Sequence, residues 1–281
     1  MAHRFDGLDD TCENVEIILT APRGELAAAM GRALTGLRPS SGAPRVVVNL
    51  ALQSPNTLLH DGHAWRRYRA TRLLNDTRAA LREAVGSDFV VHASYLFLGT
   101  PALEEGVGPP IGDIAAAALE AEDLVLRGRV PSCVVRLGYR YGPESRDLRS
   151  YQLAFRIGRP YWAGSTRVKQ RHLHSDDAAS ALLAAARQRP AGRTLYAADD
   201  TPVSFATFMD HFARLVGNRV PLHIPGLLRP LTRGLIAEEH VQQVDLASAE
   251  APDRPRPRGF RPLHTDYRSG LRQVIDAWRS G

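Results

Sequence analysis

One stretch, residues 88–143, constrains the fold of this chain more than any other. It opens with the apolar run DFVVHASYLFLG, passes through a loop rich in glycine and proline, and then reads GDIAAAALEAEDLVLRGR and CVVRLGYRYGP. Continuous apolar runs are typical of parallel strands buried on both faces, and the middle run has helical spacing. The stretch therefore predicts a strand, a loop, a long helix and a second strand.

Strands and helices continue to alternate on both sides of this stretch. The runs at residues 15–21 and 45–51 read as strands around an amphipathic helix at 24–37. Beyond Pro143, HLHSDDAASALLAAARQ, TLYAADD and VSFATFMDHFARLVG read as further strands and helices. Such alternation is typical of an α/β protein with a parallel sheet.

Composition excludes several classes of partner. The chain has 281 residues and a formal charge of +6, but its arginines are scattered rather than gathered with aromatics into a stripe, so we expect no nucleic-acid partner. No run approaches the ~18 apolar residues of a membrane span, and the amino terminus lacks the apolar core of a signal peptide. We therefore expect a cytoplasmic protein without a membrane partner.

The residues that could bind a metal give a weak pattern. Cys133 stands in the apolar run CVVRL, where a buried thiol is expected, and Cys12 stands far from it in sequence. His60 and His63 are close to each other but lack carboxylate or cysteine partners nearby. We expect no metal site.

Six runs, taken in order, resemble the extended short-chain dehydrogenase/reductase family, also called the NAD-dependent epimerase/dehydratase family. The resemblance covers the chain from about Val15 onward, and it depends on the order and separation of the runs rather than on any single one. The runs are VVVNLA (46–51), FVVHASYLFLG (89–99), VVRLGYRYGP (134–143), RHLHSDDAASAL (171–182), TLYAADDTPVS (194–204) and GFRPLHTDYRSGL (259–271).

This resemblance implies a fold and a division into two parts. The expected fold is α/β, a Rossmann-like parallel sheet with helices on both faces, amino-terminally truncated, with a small carboxy-terminal lobe that holds the substrate. The core is expected at residues 1–145 and 166–190, and the substrate-binding lobe at 146–165 and 191–281. In the family, NAD(P) lies across the carboxyl ends of the strands.

The resemblance also implies a serine or threonine, a tyrosine, and a lysine four residues after the tyrosine, which together move a proton while the cofactor carries hydride. Ser94 falls on the serine position, but Ile114 and Ala118 fall on the tyrosine and lysine positions. The chain's single lysine, Lys169, has Ser165 four residues before it. The sequence therefore has no tyrosine followed four residues later by a lysine.

The glycine-rich turn of the family, G-x-x-G-x-x-G, has no match in the sequence. We interpret VEIIL as the end of the family's second strand, which places Ala21 where an acidic residue commonly faces the adenine. The missing glycine turn and the changes at positions 21, 114 and 118 lie at separate points of the chain, and cofactor use is the one role that these points have in common. We therefore expect that the chain uses no nicotinamide cofactor.

Three residues are candidates for catalysis. Ser94 is expected to orient a substrate carbonyl or hydroxyl, although a serine at a strand end can also be structural. Asp113, beside the vacated tyrosine position, could act as a relocated acid or base or could cap the following helix. Glu105, in the loop over the expected cleft, could reach a substrate as a base, as could Glu104, or could simply be solvated.

Four further residues are candidates for binding a substrate. Tyr95 and Tyr139 are expected near the cleft, and Arg171 could bind a phosphate or carboxylate. His174 resembles the histidine of the family's His-x-x-Asp pattern, where packing is the usual role. The family's phosphate-contacting arginine aligns with Gln170, which argues against a nucleotide-sugar substrate.

The function expected from these observations is chemistry on a small polar metabolite without a cofactor: elimination, isomerisation or cyclisation, in bacterial secondary metabolism. An alternative is a non-catalytic pseudoenzyme subunit that pairs with a complete dehydrogenase. A third reading is a sugar-nucleotide epimerase or reductase whose missing strands come from another chain. In each case we expect a homodimer or heterodimer formed through helices 64–85 and 113–128.

Overall fold

The structure is a computed structural model. It describes residues 14–52, 63–100, 103, 111–217, 219, 221–232, 236, 238–246 and 254–280, and at 63–68, 231, 232 and 239 it describes the backbone alone.

The strands form one main parallel sheet and one short parallel pair. In the main sheet the order is β1-β2-β3-β4-β7, and β5 pairs with β6. In chain order the strands are β1 Glu16–Thr20, β2 Arg45–Asn49, β3 Phe89–Tyr95, β4 Ser132–Leu137, β5 Tyr139–Tyr141, β6 His172–His174 and β7 Thr194–Ala197.

Helices cover both faces of the main sheet. The helix α1 packs against α5, and α2 packs against α3. The helices are α1 Gly24–Leu34, α2 His63–Glu83, α3 Ile111–Leu126, α4 Arg146–Arg156, α5 Ser175–Gln188, α6 Phe205–Leu215, α7 Glu238–Asp245 and α8 Tyr267–Ser280. The Rossmann-like α/β fold with helices on both faces is therefore confirmed. Among the helices of the described ranges, none is long and apolar enough to cross a membrane.

Apolar side chains from the sheet and its helices form the core. Val46, Val48, Val91 and Val135 on the strands are completely buried, together with Met30 of α1. A second apolar cluster is rich in aromatic side chains and joins α4, α6 and α8 to β5; its members include Phe208, Leu271 and, on β5, Tyr141. This cluster lies in the region assigned to the substrate lobe, although the division into core and lobe stays a prediction.

The strand order corrects the identity of the first strand. In the usual order 3-2-1-4-5-6, strand 4 lies between strands 1 and 5. The strand that carries Ser94, β3, corresponds to strand 5, and its neighbour β2 pairs on the other side with β1, Glu16 opposite Arg45 and Thr20 opposite Asn49. The strand β1 therefore takes the place of the family's first strand, and the sequence-based assignment to the second was wrong.

The connection between α1 and β2 explains why this assignment was difficult. In the usual order, strands 2 and 3 come between the first helix and the fourth strand. Here residues 35–44 make that connection and contain no strand. Within the described residues, the sheet therefore ends at β1.

Candidate functional site

A cavity of about 130 Å³ lies at the carboxyl ends of β3 and β4, beside the amino end of α1. Its wall includes Gly24, Tyr95, Phe97, Tyr139 and Gln170. Ligands of open parallel sheets bind at this end of the strands, so the cavity is the candidate site. A cavity of roughly 150 Å³ admits benzene, so this one, at about 130 Å³, is close to the size of a single ring.

The turn that leads from β1 into α1 keeps an unusual backbone. Ala21 has φ +50°, a left-handed conformation that costs a residue other than glycine on the order of 1 kcal/mol. Gly24 has φ +73°, and a Cβ built there would meet no atom within 4 Å. With β1 as the first strand, Ala21, Gly24 and Ala27 fall on the three positions of G-x-x-G-x-x-G, so Ala21 is not at the acidic position to which we had assigned it.

The amino end of α1 is suited to an anion. The residue that precedes the helix, Arg23, makes no side-chain capping bond. Backbone N–H groups of a first helical turn bind phosphate when no side chain occupies them. The helix has 11 residues, enough for a full amino-terminal dipole.

A buried ion pair stands next to this turn and was missed by the sequence analysis. Glu25, in the first turn of α1, lies 3.7 Å from the Arg140 guanidinium, and both side chains are about one tenth exposed. Burial raises the pKa of the Glu25 carboxyl, while Arg140 and a hydrogen bond from Ser145 act in the opposite direction. Residues 25 and 140 are far apart in sequence, so no local pattern could have paired them.

These features fit the pyrophosphate of a dinucleotide better than its adenosine half. The turn at 21–24 and the uncapped α1 could receive the pyrophosphate, and the cavity beside Tyr139 could receive a substrate ring. On the adenosine side, residues 35–44 provide no strand where the usual fold has two. The left-handed backbone at Ala21 and Gly24, in front of a first helical turn without a side-chain cap, is the observation that supports the fit.

Ser94 is buried, and its hydroxyl is engaged. The Oγ atom donates a hydrogen bond of 2.5 Å to Glu122 Oε1, and Glu122 accepts two further bonds from Arg136, at 2.9 and 2.6 Å. Ser94 is 1% exposed and is not part of the cavity wall. Its proposed role in orienting a substrate stays a prediction.

The positions that the resemblance assigns to the tyrosine and lysine are apolar and buried. Ile114 and Ala118 lie on α3, are almost fully buried, and belong to one apolar cluster with Tyr95 and Phe97. Asp113 is half-buried in the first turn of the same helix and does not contribute to the cavity wall. Its proposed proton transfer also stays a prediction.

The structure brings together only part of the predicted binding set. Tyr95 and Tyr139 both line the cavity. Arg171 donates a hydrogen bond of 3.0 Å to the Asp199 carbonyl and is outside the cavity wall. Glu105 and Glu104 lie outside the described residues, as do Cys12, His60 and the side chain of His63.

His174 belongs to a buried polar cluster. Its Nδ1 accepts from the Asp176 backbone N–H at 3.2 Å, and its Nε2 bonds Gln273 at 3.0 Å. His174, Asp177 and His264 are close enough together for one metal ion. However, both Asp177 carboxylate oxygens already accept backbone N–H groups, at 2.6 and 3.1 Å. The role of His174, packing or substrate binding, stays a prediction.

Comparisons with known proteins identify both a fold and a relative. No family model matches the chain. Among solved structures, the human epimerase family protein SDR39U1 (isoform 2) with NADPH aligns with a TM-score of 0.65 at 15% identity, over 93% of this chain and 99% of that one. RMD from Pseudomonas aeruginosa complexed with NADPH aligns with a TM-score of 0.62 at 15% identity, over 95% and 100%. At these identities the likeness concerns the fold.

A curated relative gives the family. The 3-diazoavenalumate denitrifying reductase of a Streptomyces species is 30% identical over 276 residues, which span 89% of this chain and 86% of the relative. The chain therefore belongs to the family of this reductase, and it has the fold of the NAD-dependent epimerases and short-chain reductases.

Proposed function

We propose that this chain is an NAD(P)H-dependent reductase that replaces the diazo group of a small aromatic substrate with hydrogen. The likeness to a denitrifying reductase over 89% of the chain carries the proposal. The apolar residues at positions 114 and 118, where the family keeps tyrosine and lysine, agree with it. This differs from the cofactor-independent chemistry expected from the sequence.

The reaction explains why a proton-transfer pair is dispensable. In an aryl diazonium ion the C–N bond breaks and its electron pair leaves with dinitrogen, while a hydride brings the pair that forms the new C–H bond. Charge balances, because a cation and a hydride give two neutral products. The chemistry that nicotinamide supplies when bound is this hydride. No oxygen gains or loses a proton, so Ile114 and Ala118 have no acid or base to replace.

The residues of this chain would bind, orient and exclude water. The turn at 21–24 would hold the pyrophosphate, and Tyr139 and Leu137 would position the substrate ring. The apolar cluster of Tyr95, Phe97 and Ile114 would keep water from the reacting carbon. Exclusion of water matters here, because water competes with hydride for a diazonium carbon.

A second candidate keeps the expectation of chemistry without a cofactor. The absence of a strand in residues 35–44 favours it, because the adenosine half of a dinucleotide would meet less of the sheet there. Elimination or isomerisation on a small metabolite would then use the same cavity.

The test is turnover of an aryl diazonium salt with NADPH or NADH under anaerobic conditions. The proposal predicts oxidation of the cofactor, measured at its nicotinamide absorbance, together with an equal amount of dinitrogen and of the denitrified arene. Heat-inactivated protein gives the uncatalysed background. Cofactor oxidation no faster than that background, with both cofactors, contradicts the proposal.

A further inference from the structure

We propose that Gln170 and Gln243 form an acceptor site for a hydroxyl or amino group carried by the substrate ring. The inference rests on the proposed function only in taking the cavity as the place where the ring binds. Both glutamines line that cavity, and the side-chain oxygen of each is buried without a hydrogen-bond partner.

The orientation of the Gln170 amide follows from its neighbours. Its nitrogen is within hydrogen-bond distance of three backbone carbonyl oxygens, those of Gln243, Val244 and Leu246, at 2.5, 3.2 and 3.3 Å. An amide oxygen in that position would face three acceptors, so only the nitrogen can occupy it. Gln170 Oε1 must therefore lie on the opposite side, where no described residue donates to it.

The backbone around Gln170 is held rigidly. Its N–H donates to the Val203 carbonyl at 2.9 Å, and its carbonyl accepts from Val203 at 3.0 Å. Gln170 is 3% exposed. A buried acceptor without a donor costs about 1–3 kcal/mol, and a ligand that donates a hydrogen bond would recover this free energy.

The second glutamine extends the same surface. Gln243 lies on α7, and its backbone carbonyl is one of the three that the Gln170 amide reaches. Its side-chain oxygen is buried and has no partner in the described part of the chain. The two amide groups therefore belong to one wall of the cavity.

The charges of the wall select the class of ligand. Glu25, Glu144 and Asp147 contribute to the wall, and the arginines there are Arg140 and Arg146. Of these, Arg140 is paired with Glu25. An ionised phosphate or carboxylate on the ring is negatively charged, and its oxygens would face the partial negative charge of the glutamine oxygens. A neutral hydroxyl or amino group can instead donate a hydrogen bond to them.

The size and aromatic lining of the cavity restrict the ligand further. About 130 Å³ and the rings of Tyr95, Phe97 and Tyr139 suit a single aromatic ring. Together with the acceptors, they select a hydroxyaryl or aminoaryl substrate.

The test is equilibrium binding of simple probes to the full chain, without and with saturating NADPH. We expect phenol and aniline to bind about tenfold or more tightly than anisole, which has the same ring but no donor. Benzoate should bind no better than anisole. Calorimetry or ligand-observed NMR gives the affinities without any turnover.

Two variants locate the effect. Gln243→Met should reduce the preference for phenol over anisole about fivefold or more and leave the affinity for anisole unchanged. Gln152→Met, on α4 and outside the cavity wall, is the matched control and should leave both affinities unchanged. Gln170→Met should abolish the preference and also lower the melting temperature, because three carbonyls lose their donor.

Three results would overturn the site: no binding of phenol with or without cofactor, equal affinities for phenol and anisole, or a preference that survives in both variants. The reductase proposal fails separately. If the chain prefers phenol through Gln170 and Gln243 but oxidises no NAD(P)H, the acceptor site is supported and the reductase proposal is contradicted.

Discussion

The turn after β1 and the inner face of α3 depart from the family pattern in opposite ways. In the turn, alanine replaces glycine at position 21, yet the backbone stays left-handed at both Ala21 and Gly24. On α3, the backbone is an ordinary helix, and the resemblance assigns the tyrosine and lysine positions to Ile114 and Ala118. The first region has the left-handed backbone on which the proposed phosphate site depends, whereas Ile114 and Ala118 have no group that could move a proton.

This difference separates two parts of the family's chemistry. Binding a dinucleotide depends on backbone geometry at the first turn, whereas proton transfer depends on side chains on the helix across the cleft. A reaction that needs a bound dinucleotide but no acid or base would depend on the first and not on the second. The proposed replacement of a diazo group is such a reaction.

The largest expected effect comes from filling the turn. Gly24→Val adds a side chain in the open space where the pyrophosphate is proposed, so NADPH affinity should fall about 100-fold. The matched control is Gly36→Val, which has a similar φ of +83° and equally open surroundings but lies at the other end of α1. Both variants should lose about 1–3 kcal/mol of unfolding free energy from backbone strain.

Equal NADPH affinity in the two glycine variants would contradict the proposed role of the turn, because position 24 would then contribute no more to NADPH binding than position 36. Calorimetric titration and thermal melts measure the two quantities.

The next effect tests the face of α3. Ile114→Tyr combined with Ala118→Lys restores the family's residue types, but Ala118 is 1% exposed within an apolar cluster. Burying an unpaired lysine there should cost several kcal/mol, and diazonium turnover should not rise. Ile114→Leu should change both stability and turnover little. A double variant that is faster than the parent would show that proton transfer limits the reaction.

A smaller effect is expected at Ser94. If Ser94 orients a substrate, as expected from the sequence, then Ser94→Ala should reduce turnover by orders of magnitude. The bond to Glu122 instead predicts a loss of about 1–3 kcal/mol of stability with turnover changed less than about threefold. Denaturant unfolding and steady-state kinetics on one preparation separate the two predictions. A large loss of turnover at unchanged stability would show that Ser94 acts on the substrate and would contradict this structural role.

The smallest expected effect concerns assembly. We propose that the chain dimerises through α2 and α3, whose mutual packing leaves Leu119 44% exposed on α3. Leu119→Glu should convert dimer to monomer in sedimentation experiments while leaving the melting temperature at high dilution nearly unchanged. A variant that remains fully dimeric would place the interface elsewhere.

Local patterns allowed the strands and helices to be predicted. The runs RVVVN and FVVHASY are centred on apolar and β-branched residues, and the structure buries nearly every residue in them. The run EIILT looks alike whether it is a first or a second strand, so its identity required its pairing partner. That partner, Arg45–Asn49, became known only with the sheet.

The candidate site was predictable only in part, because its contacts join distant residues. Tyr95 and Tyr139 follow strand ends, so their place beside the cavity could be inferred. The hydrogen bond from Ser94 to Glu122 joins residues 28 positions apart, and no local sequence pattern predicts it. The family resemblance showed that Gln170 takes the place of an arginine. The direction of its amide, however, depends on three carbonyls more than 70 positions away.

The most direct test of the central claim follows the hydrogen that enters the product. The reaction is run once with NADPH deuterated at the transferred position in ordinary water, and once with unlabelled NADPH in deuterium oxide. The account predicts one deuterium in the arene from the cofactor and none from the solvent, by mass spectrometry. Deuterium acquired from the solvent alone would contradict it.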